Sequence, residues 1–386
     1  MTVLKSNQTF FSLPLHGPWL LFAIWLVVQC YVFFHFGISE GADSDFYMTN
    51  AKGLLQGHFP EDRGIWYTSY SLFLALVIVL GGNSMSIVLV QFFFSGLAAI
   101  ALYKVVLHLF QNHFISFLAV LQYLLWLKIH QWNSYIYTES LFISFSIFSF
   151  ALLSVSKKAS HYFFTALIIG FTLFLRPTGI CFFIATCGYF CFLKVKKEWI
   201  TTANLLIVTP CIAIVLWILS NIVLRDYVFL IIDGYRKVEI IYPNISLGFS
   251  AAAHLDMPSA KHPPLLQLME FVIYNPLYFL KLSSIKLLLF LGNVKPYFTW
   301  IHNLLIVILL YPIYIFAGYG FKKMNWSAEN VWMMVFILMQ ILIVSITSEN
   351  WDGRFHILIL PFVFIYSAFG IAAFFQKNIM VKTKLS

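Results

Sequence analysis

The stretch PWLLFAIWLVVQCYVFFHFGISEGADSDFY, residues 18–47, joins a long apolar segment to two carboxylates, Asp43 and Asp45. Residues 18–36 contain no Asp, Glu, Lys or Arg, which is the composition that a bilayer core of about 30 Å requires of a crossing helix. Only 10% of the chain is charged, so two acids directly after an apolar segment call for a reason. They indicate either a polar site at a membrane surface or a solvated loop in which Asp43 or Ser44 caps a short helix.

The composition of the whole chain predicts an all-α polytopic membrane protein. Of its 386 residues 61% are hydrophobic, and Phe alone supplies 42, more apolar surface than a soluble domain can cover. The apolar segments are continuous rather than alternating, which favours helices over a barrel. With no internal repeat or linker, residues 1–386 are predicted to form one membrane domain.

About ten membrane-spanning helices are predicted from the apolar windows. Tyr67–Leu80 is too short for a comfortable span at about 1.5 Å per residue, and we expect it to lie at the outer interface. The amphipathic stretch Leu265–Leu291 is also predicted not to cross. The ten predicted spans are Pro18–Phe36, Ser86–Phe110, Phe114–Leu127, Ser140–Val155, Tyr162–Leu175, Thr178–Leu193, Ala203–Leu224, Trp300–Phe321, Ala328–Thr347 and His356–Phe375.

The basic residues predict the orientation of these spans. The net charge of +9 comes from short clusters between apolar runs, which set topology, so no nucleic-acid partner is expected. The clusters predicted to face the cytoplasm are Lys157/Lys158, Lys194/Lys196/Lys197, Lys322/Lys323 and the tail lysines Lys377, Lys382 and Lys384. The opposite face then collects the first loop, about 37–66, the segments before Glu139 and around Arg176, the long loop, about 225–264, and the last loop with Arg354 and His356.

Carboxylates and cations on one membrane face suit a particular kind of chemistry. A carboxylate can act as general base on an acceptor hydroxyl or amine, while Arg and Lys can hold a phosphate. Together they predict transfer of a group from a lipid phosphate to an acceptor. The chain has no glycine-rich phosphate loop, no His-Glu-x-x-His and no Gly-x-Ser-x-Gly motif.

The motifs resemble those of one family in their order along the chain. Asp43-Ser44-Asp45-Phe46-Tyr47, followed by Ala51, Leu54-Leu55 and Gly57, resembles the first-loop signature of the integral-membrane GT-C glycosyltransferases, in the branch of the protein O-mannosyltransferases and the aminoarabinose transferase of lipid A. Ser44 stands where that pattern often has a second acid, and His58-Phe59-Pro60 replaces its His-Pro-Pro segment. Further similar stretches are Thr138-Glu139-Ser140-Leu141, Arg176-Pro177-Thr178-Gly179, Asn275–Leu280 and Asp352–His356 running into Pro361.

This resemblance implies a GT-C fold and a set of site roles. Asp43 would be the catalytic base, and Arg354, Arg176 and Lys261 would bind the phosphate of a polyprenyl-phosphate sugar. Asp45, Tyr47, Glu139 and His356 would assist. The acceptor would be a lipid, glycan or protein at the outer face of a bacterial inner membrane. No cofactor is expected; if a divalent metal binds, Asp43, Asp45 and Glu139 are the available hard ligands.

Structural alternatives remain for several of these residues. Arg354 can instead form an ion pair with Glu349 or Asp352, Arg176 can be a snorkelling anchor, and Glu139 can merely cap a span. The alternative functions are a transporter or flippase of lipid-linked sugars, which would place charges within the spans and break helices in pairs, and a polymerase or ligase of such sugars.

Overall fold

The computed structural model describes residues 17–155, 159–196, 210, 214, 217–350 and 352–385. Its first half contains α1 (Gly17–Phe36), α2 (Ala42–Leu55), α3 (Thr68–Val79), α4 (Ser84–Phe110), α5 (His113–Leu125), α6 (Leu127–Gln131), α7 (Thr138–Val155), α8 (Ala159–Leu173) and α9 (Gly179–Lys196). Its second half contains α10 (Val228–Arg236), α11 (Pro264–Tyr274), α12 (Pro276–Gly292), α13 (Trp300–Lys323), α14 (Ala328–Ile346) and α15 (Leu360–Leu385).

The remaining regular elements of the described chain are short. Residues 217–224 are helical, and short 3₁₀ helices cover Asp62–Tyr67, Trp132–Ser134 and His356–Leu358. Two strands of two residues each, β1 (Ile241–Tyr242) and β2 (Glu349–Asn350), pair in parallel. They tie the long loop to the last loop, and the fold is otherwise all-α.

The described residues contain five helices that are long and apolar enough to cross a membrane, namely α1, α4, α7, α13 and α14. Two bent pairs raise the number to seven if each is one span: α5 with residues 127–134 at 58°, and α11 with α12 at 104°. The helical character predicted from composition is therefore confirmed, and five to seven of the described helices or helix pairs could cross a membrane. Ten spans stays a prediction, because the predicted spans Tyr162–Leu175, Thr178–Leu193 and His356–Phe375 correspond to shorter apolar helices.

Two stretches, Tyr67–Leu80 and Leu265–Leu291, are predicted from the sequence not to cross the membrane. The predicted short helix at Tyr67–Leu80 is present as α3, and α3 packs against α2. The stretch Leu265–Leu291 is no straight span, since α11 and α12 meet at 104° after Asn275. Much of the predicted span Ala203–Leu224 lies outside the described residues, as do Lys157, Lys158 and Lys197, so the orientation of the chain stays a prediction.

The core forms where α7, α9, α14 and α15 meet. The indole of Trp332 is fully buried there, with its ring centroid 4.8–5.2 Å from those of Phe150, Phe182, Phe336 and Phe362. Its Nε1 donates a hydrogen bond to Thr186 Oγ1 at 3.2 Å, so the only polar atom of this side chain is satisfied. Such aromatic packing joins helices from both halves of the chain.

Helices α13 and α15 approach each other through two glycines. A Cβ on Gly320 would collide with the Tyr366 carbonyl oxygen, and one on Gly370 would collide with the Phe316 carbonyl oxygen. Small residues at such positions let two membrane helices come close enough for extensive van der Waals contact. The short distance between α13 and α15 is therefore possible only because neither glycine has a side chain.

We predict that Gly370→Ala lowers the stability of the protein by roughly 1–3 kcal/mol, because the new methyl group must push two backbones apart. Gly318→Ala on the same α13 is the matched control, since its Cβ would meet nothing within 4 Å. We expect that change to be neutral or stabilising by about 0.5–1 kcal/mol. Thermal unfolding of the detergent-purified proteins measures both, and equal unfolding temperatures would contradict the prediction.

Candidate functional site

Hydrogen bonds between two distant loops bring the start of α2 to the start of α7. Ser39 N donates to Ser134 O at 3.0 Å, and Ile136 N donates to Ser39 O at 3.1 Å. Ser44 Oγ in the first turn of α2 then donates to Ile136 O at 3.0 Å. Ser44 therefore links the two loops.

Four charged side chains meet at this junction. Glu139 Oε1 accepts hydrogen bonds from Arg176 Nη1 at 3.0 Å and from Arg354 Nε at 2.8 Å. Arg354 Nη1 also donates to Asp43 Oδ2 at 2.9 Å. We call Asp43, Glu139, Arg176 and Arg354 the charge cluster. Its formal charges sum to zero, which is the condition under which charges can be buried together.

Exposure differs between the inner and the outer half of the charge cluster. The side chain of Glu139 is fully buried and that of Arg176 is 5% exposed, whereas Arg354 is 14% and Asp43 45% exposed. The inner pair therefore has a structural role in holding Arg354. Asp43 is the carboxylate that an arriving molecule can reach.

Aromatic rings enclose the guanidinium of Arg354. Its Cζ lies 5.3 Å from the ring centroid of Tyr137, 5.6 Å from that of Phe355 and 5.8 Å from that of Trp132. Burial acts against the charged form, but the Glu139 and Asp43 carboxylates outweigh it and raise the pKa of Arg354 above its ordinary value. Arg354 is therefore a permanent cation held in a mostly apolar wall.

Tyr47, one turn after Asp43, lies beneath this wall and is almost completely buried. Burial raises the pKa of its hydroxyl well above the ordinary value, and Tyr67, Glu139 and Asp43 raise it further. The hydroxyl therefore stays protonated at neutral pH. Tyr47 therefore cannot serve as a base.

The structure decides between alternatives for two arginines. Arg176 is buried and ion-paired, so the snorkelling interpretation is wrong. Arg354 pairs with Asp43 and Glu139, while the Asp352 carboxylate contacts Lys128. Glu139 does open α7, as a capping residue would, but it uses its carboxylate on the two arginines.

Three other predicted site residues lie outside the charge cluster. Asp45 is exposed in the first turn of α2. Lys261 is exposed in the long loop, and nothing in the described part of the chain brings its ammonium to Arg354. His356 is fully buried and bonded through Nε2 to Tyr314 Oη at 2.5 Å. Burial and the neighbouring Lys295 lower the pKa of His356 to about 3, so its imidazole is neutral.

The sequence analysis missed Lys128. Its Nζ contacts the Asp352 carboxylate and donates to Gln131 Oε1 at 3.1 Å. Lys128 is the only Asp, Glu, Lys or Arg among residues 111–138, and that isolation was the available signal. Lys128 directly follows the predicted span Phe114–Leu127, where a single lysine looks like an ordinary end of a span.

No three His, Cys, Asp or Glu side chains gather as a metal site would require within the described ranges. No protein-family model matches this chain, and neither a curated protein nor a solved structure matches it. The site must therefore be interpreted from its own geometry.

We predict that Arg176→Gln lowers stability by roughly 3–5 kcal/mol, because it leaves the fully buried Glu139 with one cation instead of two. The matched control is Arg236→Gln. Arg236 is 55% exposed beside Asp233, and such a surface pair contributes about 0–1 kcal/mol. Thermal unfolding of the two variants tests the difference, and a similar small loss in both would refute a structural role for Arg176.

Proposed function

We propose that this protein is a membrane glycosyltransferase that moves a sugar from a polyprenyl-phosphate donor to an acceptor in a lipid, glycan or protein. The observation that carries the proposal is the contact of 2.9 Å between the half-exposed Asp43 carboxylate and the Arg354 guanidinium. A base for the acceptor and a cation for the leaving phosphate therefore lie next to each other. Such an arrangement combines general-base and electrostatic catalysis.

In the proposed reaction, Asp43 takes the proton of the acceptor hydroxyl or amine while the acceptor atom attacks the anomeric carbon. The bond between that carbon and the phosphate oxygen breaks, and the phosphate leaves with the bonding electrons. Arg354 stabilises the charge that develops on this phosphate. The family resemblance implies inversion at the anomeric carbon, and no metal or other cofactor enters this scheme.

The buried half of the charge cluster supports the role of Arg354. Its Nε is held by Glu139, whose other ligand is Arg176. The remaining donors of the guanidinium therefore point in a defined direction. When a donor phosphate binds Arg354, it takes the place of the Asp43 carboxylate, which is then released to act on the acceptor.

The apolar helices support the choice of a lipid-linked donor. A polyprenyl chain needs a bilayer beside the site, and α7, one of the helices long enough to cross a membrane, begins next to Glu139. Placement in a bacterial inner membrane with the charge cluster on the periplasmic side follows from the predicted topology and belongs to this proposal.

A transporter of lipid-linked sugars is the second candidate, and two observations favour it. The described residues contain two bent helix pairs, and Lys286 within one of them is buried. Broken helices and buried charges are features of transport sites. However, Lys286 Nζ donates to the Thr347 carbonyl at the end of α14, so a helix-capping role accounts for it.

We predict that Asp43→Asn lowers sugar transfer by roughly 100-fold or more, the usual contribution of a general base. The measurement is transfer from radiolabelled polyprenyl-phosphate sugars in membranes that contain equal amounts of each protein. Asp62→Asn is the control, since Asp62 is exposed and Asn tolerates its left-handed backbone, φ 47°.

The outcomes of this experiment separate the candidates. Transfer that persists in Asp43→Asn excludes Asp43 as the base and directs attention to Asp45. A wild-type protein that transfers no sugar from any donor, but moves the intact lipid-linked sugar across vesicle membranes, would favour the transporter.

A second prediction concerns the residue that positions Arg354. Gly353 has φ 68°, and a Cβ there would come within 3.0 Å of Asn293 Oδ1. Gly353→Ala should move Arg354 and lower transfer roughly 10–100-fold, as displacements near 1 Å do. Gly248→Ala is the matched control, because Gly248 also has positive φ (79°) but faces open space. Equal activity in the two variants would contradict the positioning role of Gly353.

A further inference from the structure

Lys128 occupies a distinctive place beside the charge cluster. It lies in α6, directly after the bend of 58° that separates α5 from the following segment. Its side chain is 32% exposed, and its ammonium contacts the carboxylate of Asp352, which is 17% exposed. A cation at this depth is reachable by an arriving ligand, whereas Arg176 is not.

Lys128 and Arg354 lie around the same indole ring. Lys128 Nζ is 6.0 Å and Arg354 Cζ is 5.8 Å from the ring centroid of Trp132. Asp352, the partner of Lys128, is separated from Arg354 only by Gly353. The two cations are therefore neighbours around one ring.

A polar and aromatic edge connects the two cations. Gln131 accepts a hydrogen bond from Lys128 and donates one to Tyr135 Oη at 3.3 Å. The Tyr135 ring lies 5.9 Å from that of Tyr137, which in turn borders Arg354. Aromatic faces flanked by hydrogen-bonding groups are suited to a sugar held between two anion-binding positions.

Each of the two cations forms an ion pair with a partly exposed carboxylate, Lys128 with Asp352 and Arg354 with Asp43. Each of these carboxylates carries a single negative charge, so an anion with more charge and more acceptor oxygens can replace them at the two cations. A phosphate offers acceptors to the fork of Arg354 and to the point charge of a lysine at the same time.

We propose that Lys128 is a second ligand of the donor's lipid phosphate, and that Asp352 holds Lys128 in position until the donor arrives. The inference rests on the proposed function and takes the same substrate class, a polyprenyl phosphate ester. It assigns to Lys128 the role that the sequence analysis expected of Lys261. Lys128 binds the donor and takes no part in proton transfer.

Binding of undecaprenyl phosphate to the detergent-purified full-length protein tests this assignment. We expect Lys128→Met to weaken binding about tenfold, as loss of one charge-assisted contact does, and Lys128→Arg to restore most of it. Asp352→Asn should bind as tightly as wild type or more tightly, because it removes a competing carboxylate. Lys52→Met, a change of the same kind at an exposed position of α2, should bind like wild type.

The two variants distinguish a phosphate ligand from a residue with only a structural role, because binding should weaken in Lys128→Met but not in Asp352→Asn. If both variants weaken binding equally, Lys128 only secures the last loop and the proposal is overturned. Wild-type binding in Lys128→Met overturns it as well. Undecaprenol and inorganic phosphate complete the experiment: if inorganic phosphate binds as tightly as the lipid ester and loses affinity in Lys128→Met, the position belongs to free phosphate, which also overturns the lipid assignment.

This experiment does not depend on the proposed reaction. Asp43→Asn should still bind undecaprenyl phosphate, since Asp43 competes with the phosphate for Arg354. Lys128-dependent binding together with absent sugar transfer would keep the phosphate site and reject the glycosyltransferase. Sugar transfer by the protein, together with unchanged donor binding in Lys128→Met, would keep the glycosyltransferase and reject the phosphate site at Lys128.

Discussion

One carboxylate oxygen, Oε1 of Glu139, receives hydrogen bonds from two arginines that lie 37 and 215 residues away along the chain. Because Glu139 is fully buried, its charge is tolerable only while these partners remain in place. The segments that carry Arg176 and Arg354 must therefore both reach the start of α7. Asp43 joins them through Arg354, so the order of the whole site depends on this shared acceptor.

Helix packing provides the frame that lets these loops converge. Trp332 ties α14 to α7, α9 and α15, and the glycines of α13 and α15 draw the last helices together. Two buried lysines complete the frame at helix ends. Lys286 donates to the carbonyl of Thr347, and Lys295 donates to that of Leu289 at 3.3 Å. Cations at helix C-termini satisfy carbonyls that the helix leaves free, so these buried lysines have a structural explanation.

The proposed function rests on the way that exposure is distributed over the charges of the site. Glu139 and Arg176 are too deeply buried to touch a substrate, and they hold Arg354 in a fixed orientation. Asp43 and Lys128 are the members that a molecule at the surface can reach. A site with a fixed inner half and an accessible outer half is preorganised for an anion at Arg354 and a proton acceptor beside it. This division supports group transfer better than passage of a solute through the helices.

Local sequence alone determined the helical class, the apolar helices such as α1 and α7, and the placement of Asp43 beside the end of the first span. Uninterrupted apolar runs leave the backbone little choice but a helix in a bilayer. Only the tertiary structure decided which charges are partners: Arg176 is buried with Glu139, Lys128 contacts Asp352, and Arg354 joins Asp43 across 311 residues. Ion pairs depend on distances between side chains from remote segments, and no local pattern along the chain encodes those distances.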